Sequence, residues 1–212
     1  MKPAPETLRE AWLGHISVED YEGHMSAIGQ AEANASLVEE LFRQHAPASG
    51  ARVLFAGAGT GQCFDYLAPD ALGGYQVTFA DLNPVFLERL AARLRGREIS
   101  TAVDDIEDSR LPGTFDLAIV ILVLEHVDWR RAVASLAGRC ARVFAVIQRN
   151  PPALAPRPLP GTLGVLHEVR MALLDPAELA AAFAGEGFRL ERATSRDVLD
   201  GKSMLALDFV RG

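Results

Sequence analysis

The 212-residue chain, 49% hydrophobic and 23% charged, has the length of one domain and enough apolar residues for a substantial core. Its formal net charge of −7 works against a polyanionic partner, so nucleic acid is not expected. The longest uninterrupted apolar run, residues 117–124, is far short of the roughly 20 residues that cross a bilayer, and residues 1–15 hold no apolar segment of secretory type, so a cytoplasmic protein without a membrane span is expected.

Taken in chain order, residues 1–48 read as helical, with a long helix through "EANASLVEELFRQH". From residue 50 onward apolar runs alternate with helical patterns, which is the signature of a parallel sheet covered by helices on both faces. "ARVLFAG" is a first strand, and a helix is expected to begin at "GQCFDYLA". "YQVTFAD" is a second strand. The helix after it has Asn83 as cap and Pro84 at its first position, with Val85, Leu87, Leu90, Ala91 and Leu94 on an apolar face. "EISTAVDD" is a third strand, and "FDLAIVILVL" a fourth, apolar throughout as expected of a strand buried on both faces. A helix in "WRRAVASLAGRC" and a fifth strand, "ARVFAVIQ", follow.

Residues 149–164 are too rich in proline for an ordinary helix or central strand and are expected to form a long loop. A last helix starts with Asp175 as cap and Pro176 at its first position. "FRLERAT" and "SMLALDFVR" then read as two strands whose short connection favours antiparallel pairing. Cys63 and Cys140 have no Cys or His at metal-ligand spacing and read as small buried apolar residues; no zinc or magnesium constellation is expected.

Gly57, Gly59 and Gly61 stand on alternate positions directly after the first strand. Glycine inside a strand packs nothing, so three together point to a sharp turn or a close approach to a ligand at the carboxyl end of a parallel sheet. Asp81, 20 residues past Gly61, ends the next strand where a carboxylate can accept hydrogen bonds from ribose hydroxyls. A dinucleotide fingerprint places its third glycine one position later, where this chain has Gln62, which weakens a nicotinamide or flavin reading.

In order along residues 50–212, "VLFAGAGTG", "VTFADLNP", "DDIEDSRLP", "FDLAIVILVLEHV" and "LLDPAELAAAFAGEGFRLER" resemble successive motifs of the class I S-adenosylmethionine-dependent methyltransferases of small-molecule type. The resemblance implies an α/β, doubly wound, mostly parallel seven-stranded sheet with its last strand antiparallel. It also implies S-adenosylmethionine as cofactor and transfer of its methyl group to an O, N or C atom of a small-molecule acceptor. At matching positions the backbone of Gly57, Ala58, Gly59 and Gly61 would pass close to the cofactor, Asp81 would bind ribose, and Leu82 would pack on adenine. Asp105 with Ile106 would hold the adenine edge and face, with Asp104 as the alternative, and Ile121 and Leu122 would lie by the methionine part. Many members carry an acidic residue two positions before the first glycine. This chain has Phe55 there, so acidic residues of the N-terminal segment are candidates to compensate.

A sulfonium methyl is already a strong electrophile, so the protein mainly has to hold an acceptor in line and exclude water. A base is needed only for an acceptor that arrives protonated. His126, after the fourth strand, is the first candidate, ahead of Glu125; His167, after the proline-rich loop, is a second candidate to line an acceptor pocket. Tyr21 and His24 lie in a stretch resembling the N-terminal lid of small-molecule methyltransferases and would then cover the cofactor. The expected organisation is a lid of residues 1–48 and an α/β domain of residues 49–212, with residues 149–174 over the active site. Two rival readings remain: a methyltransferase-like binding or regulatory module, suggested by Phe55, and a dinucleotide-dependent oxidoreductase.

Overall fold

The computed structural model describes residues 5–151, 159–167, 169, 172–199 and 201–212, and for His167 the backbone only. Its centre is a seven-stranded sheet with strands β1 (Arg52–Ala56), β2 (Gln76–Asp81), β3 (Ile99–Val103), β4 (Leu117–Ile121), β5 (Arg142–Arg149), β6 (Phe188–Asp197) and β7 (Ser203–Arg211) in the order β3-β2-β1-β4-β5-β7-β6. The first five strands are parallel, and β7 pairs antiparallel with both β5 and β6. This is the sheet the sequence led us to expect, with the long final hairpin closing one edge.

Helices α1 (Leu8–Gly14), α2 (Val18–Ala27) and α3 (Gln30–His45) precede the sheet, and α4 (Pro84–Arg93), α5 (Trp129–Ala137) and α6 (Pro176–Gly185) are its crossovers. Their starts are written locally. Thr7, Ser17, Asn83, Asp128 and Asp175 each accept a backbone N–H of the first turn through the side chain, which satisfies donors that no helical carbonyl can reach.

Side-chain alternation along the strands divides the core. Leu54, Ala118, Val120 and Ala145 face α5 and α6, whereas Val53, Phe55, Phe79, Ile119 and Val146 face α3 and α4. A smaller third cluster joins Ala11 of α1 and Ile16 of the link between α1 and α2 to Phe86 of α4 and to Leu163, Leu166 and Val169.

Three expectations about elements are corrected. The helix expected after β1 is only a 3₁₀ turn, Gln62–Asp65. Pro69 disfavours helical backbone at the residue before it, so the chain wanders through turns to β2. The third strand is short and half-exposed, since it is an edge. The sixth strand is longer than expected and absorbs a register shift between Leu190 and Arg192. Of the proline-rich stretch 149–164, residues 149–151 and 159–164 are described, and the latter run into a 3₁₀ segment, Gly161–His167. Among the described residues no helix is long and apolar enough to cross a membrane.

Candidate functional site

At the carboxyl ends of β1, β2 and β4 the chain leaves a cavity of about 500 Å³, a size typical of small-ligand sites. Gly57 and Gly59, after β1, form part of its wall, and Asp81 and Leu82, at the end of β2, form another part. Asp104, Asp105 and Ile106 line it beyond β3, and Ile121, Leu122 and Val123 beyond β4. Helices α1 and α2 contribute Trp12, Tyr21 and His24, and the segment after β5 contributes Leu159, Leu163 and Leu166.

The glycine turn is held in place by backbone geometry and by one carboxylate. Gly57, Gly59 and Gly61 all have left-handed φ values, of 67°, 57° and 70°. A Cβ at Gly57 would stand 2.2 Å from Cγ2 of Val123, so the turn and the chain after β4 approach more closely than any other residue would allow. Asp81 Oδ2 accepts the Gly59 N–H and Oδ1 accepts the Asn83 N–H, each at 2.8 Å. A carboxylate offers about four lone-pair sites, so both oxygens retain capacity toward the cavity. Burial raises the Asp81 pKa, and the backbone N–H donors of Asn83, Gly59 and Leu82 oppose that rise.

Leu122 carries a φ of 55°, rare for a residue with a side chain. Its N–H still donates to Val146 at 2.8 Å, so the turn sits directly at the end of the β4-β5 ladder. Glu125 and His126 follow in a 3₁₀ turn, Leu124–His126, and both line the cavity. Glu125 is 2% exposed, with Oε1 accepting the Gln148 N–H at 2.7 Å and Oε2 buried without a partner among the described residues. Burial pushes its pKa up to about 7 and that of His126 down to about 4, because each group loses the solvation of its charged form. His126 is therefore neutral at pH 7. Its Nδ1 has no partner, nor has the neighbouring Trp12 Nε1, and the two rings meet edge-on with centroids 4.9 Å apart.

Most of the residues singled out in the sequence converge on this cavity: Tyr21, His24, Gly57, Gly59, Asp81, Leu82, Asp104, Asp105, Ile106, Ile121, Leu122 and His126. Ala58 and Gly61, also expected near a ligand, are not among the residues that line it. The Ala58 N–H is bonded to the Ala80 carbonyl at 2.9 Å, and a Cβ at Gly61 would lie 2.9 Å from Leu90 Cγ, so Gly61 serves packing against α4. The His167 side chain lies outside the described residues. The acidic residues of the N-terminal segment do not stand in for the carboxylate missing at Phe55: Glu22 pairs with Arg89 and Arg93, and Asp20 binds Thr162. Phe55 itself is 3% exposed, stacked on Phe79 and edge-on to Phe64.

Several contributors escaped the sequence reading. Arg9 ion-pairs with Asp105, and Trp12 places its backbone carbonyl on Asn83 Nδ2 at 2.8 Å. Gln62, read only as a departure from a dinucleotide pattern, donates to the Glu22 carbonyl at 3.0 Å and so ties the glycine turn to α2. His45, Glu191 and Asp208 lie within metal-ligand distance of one another, away from the cavity. Arg142 pairs with both carboxylates and supplies their counter-charge. Both cysteines are free, and Cys63 is only partly buried, unlike Cys140.

A family profile described as "Methyltransferase domain" matches residues 54–143, which span β1 to the start of β5 and include the glycine turn, Asp81 and Glu125–His126. Residues 54–143 therefore carry a methyltransferase domain. Solved structures of similar fold include magnesium protoporphyrin IX methyltransferase from Synechocystis PCC 6803 with bound SAM, at 18% identity and a TM-score of 0.67, covering 96% of this chain and 89% of that one. The glycopeptide N-methyltransferase MtfA with bound SAM is 16% identical with a TM-score of 0.61, covering 85% and 95% of the two chains. The [4+2]-cyclase SpnF is 14% identical with a TM-score of 0.64, covering 84% and 80%. A comparison with curated proteins finds no match. In this fold the cavity occupies the place where open α/β sheets bind their ligands.

Proposed function

We propose that the protein transfers the methyl group of S-adenosylmethionine to a nucleophilic atom of a small molecule, in the cavity at the carboxyl ends of β1, β2 and β4. The observation that carries this reading is the joining of the left-handed glycine turn to the Asp81 carboxylate, both on the wall of one cavity. The cofactor supplies an electrophilic methyl group. Asp81 would hold its ribose, Gly57 and Gly59 would let the backbone close on it, Leu82 and Ile106 would take the adenine faces, and Asp105 or Asp104 its edge. Ile121 and Leu122 would border the methionine part.

The remaining work is positioning and exclusion of water. Tyr21 stacks on Phe86 with centroids 5.3 Å apart, and Trp12 meets both rings edge-on, so α1 and α2 form an aromatic cover over the cavity. We assign the described residues of 1–48 and of 149–174 to a lid, with Tyr21 and His24 facing the ligand. Neutral His126 can orient the acceptor or take its proton through Nδ1. The walls are mostly apolar, which suits a small organic acceptor. Both free cysteines suit the reducing cytoplasm, which we propose as the location.

Calorimetric titration tests the proposal. S-adenosylmethionine and S-adenosylhomocysteine are expected to bind and NAD to give no heat. Binding of NAD with no response to either sulfur compound would overturn it.

A further inference from the structure

Glu125 is the carboxylate on the cavity wall that combines near-complete burial with an unused hydrogen-bonding atom among the described residues. Its position is fixed from outside the cavity. Oε1 is committed to the Gln148 N–H on β5, and the Glu125 carbonyl accepts the Ala172 N–H at 3.0 Å. The nearest amide side chains are committed to one another: Gln148 Nε2 donates to Asn150 at 2.8 Å, and Gln30 Nε2 reaches Gln148 Oε1 at 3.4 Å. Oε2 is left with no donor among the described residues. A buried carboxylate oxygen without a partner is destabilising, so a donor arriving with a ligand would relieve a standing penalty.

The chemistry of that ligand is limited by its surroundings. Leu163, Leu166, Leu173 and Trp12 give the cavity apolar walls, and of its cations Arg9 is engaged by Asp105 and Lys202 has an interaction of its own. A ligand carboxylate brought to Glu125 would set like charges together in a poorly solvated place. An N–H or O–H would be welcome there.

Building on the methyl-transfer reading, we propose that Glu125 Oε2 is the anchor of the acceptor: it binds an N–H or O–H on an otherwise apolar small molecule and receives that proton as the methyl moves. The acceptor heteroatom forms its new bond to the methyl carbon with its lone pair. The carbon–sulfur bond breaks, its electron pair staying on sulfur as the sulfonium becomes a neutral thioether. The proton passes from the heteroatom to Oε2, turning carboxylate into carboxylic acid. A carboxyl group titrating near neutrality is matched to taking a proton at pH 7.

The test uses the whole chain with S-adenosylhomocysteine and three probes of one shape: para-propylphenol, para-propylaniline and para-propylbenzoate. The phenol and the aniline are expected to bind at least tenfold more tightly than the benzoate. Glu125→Gln keeps an oxygen for the Gln148 N–H but replaces the carboxylate, and it should weaken the phenol and aniline at least tenfold while leaving S-adenosylhomocysteine affinity within twofold. In the parent protein the Glu125 carboxyl carbon resonance should move when the phenol is added, a readout that needs no variant. Benzoate binding as tight as phenol, indifference of phenol to Glu125→Gln, an unmoved resonance, or no binding of phenol and aniline would each overturn the proposal. Failure of S-adenosylhomocysteine itself to bind would instead overturn the methyl-transfer reading on which it rests.

Discussion

Asp81 and Gly59 are joined by a 2.8 Å hydrogen bond from the glycine N–H to carboxylate Oδ2, so the residue at the end of β2 holds the turn after β1 in place. The other oxygen holds the Asn83 N–H at the start of α4. One carboxylate therefore braces two neighbouring loops of the cavity before any ligand enters, so a change at Asp81 alters the shape of the site as well as the carboxylate proposed to bind the ligand.

Asp81→Ala is accordingly expected to do two things at once. Binding of S-adenosylhomocysteine should weaken by about 1.5–3 kcal/mol, the scale of hydrogen bonds to a charged group. Amide exchange at Gly59 and Asn83 should quicken in the unliganded protein. A folded variant with parental affinity would show that Asp81 makes no contact with the ligand, and unchanged exchange would show that it does not brace the turn.

Glu125 and His126 should make opposite contributions to stability as pH changes. The Glu125 pKa, about 7 against an ordinary 4.5, means that the folded state holds a proton the unfolded state has released. Its contribution is present below pH 4.5 and is lost as pH rises toward 7. His126, lowered to about 4 from 6.5, resists protonation in the folded state, so stability is lost as pH falls from 6.5 toward 4. The slopes oppose one another where the windows overlap. Glu125→Gln should therefore gain stability relative to the parent as pH rises from 5 to 8, and His126→Asn should gain it as pH falls from 7 to 5, each by about 2 kcal/mol. Urea unfolding across this pH range reads both; curves parallel to the parent's would mean that neither group is desolvated.

Restoring the family's acidic residue at Phe55 should harm the protein. The ring is closed between Phe64 and Phe79, each with a centroid 5.0 Å away. Phe55→Ala is expected to cost about 3–5 kcal/mol, and Phe55→Glu more, because a charge would be buried with no partner. Thermal unfolding would register the loss. A stable Phe55→Glu variant that bound S-adenosylhomocysteine more tightly would show that the side chain can reach the ligand.

The aromatic cover is tied down by polar contacts at its rim. Asp20 accepts both the backbone N–H and the hydroxyl of Thr162, at 2.8 and 2.7 Å, and Glu22 pairs with Arg89 and Arg93. An Asp20→Ala, Glu22→Ala double variant should speed amide exchange in α1, α2 and residues 161–167 while leaving β1 and β4 protected. Uniform acceleration throughout the chain would show that these contacts stabilise the whole fold and that the cover has no independent motion.

The sequence by itself determined the order of the strands along the chain, the caps of α4 and α6, the glycine turn and the place of Asp81. Each is written in neighbouring residues: a strand buried on both faces has to be apolar along its whole length, and a positive φ asks for glycine. Tertiary structure decided everything that depends on residues distant in sequence. Gly61 resembles its companions until Leu90 is packed beside it, and Gln62 is an exception to a pattern until α2 supplies the Glu22 carbonyl. The pairing of Arg9 with Asp105 joins α1 to the end of β3, across 96 positions. Glu125 looked a poor candidate for chemistry because a carboxylate in a linear chain is assumed to be solvated. Only the packing of β5 against the turn after β4 removes it from water, engages one oxygen and leaves the other bare, and that desolvation is what makes the group reactive.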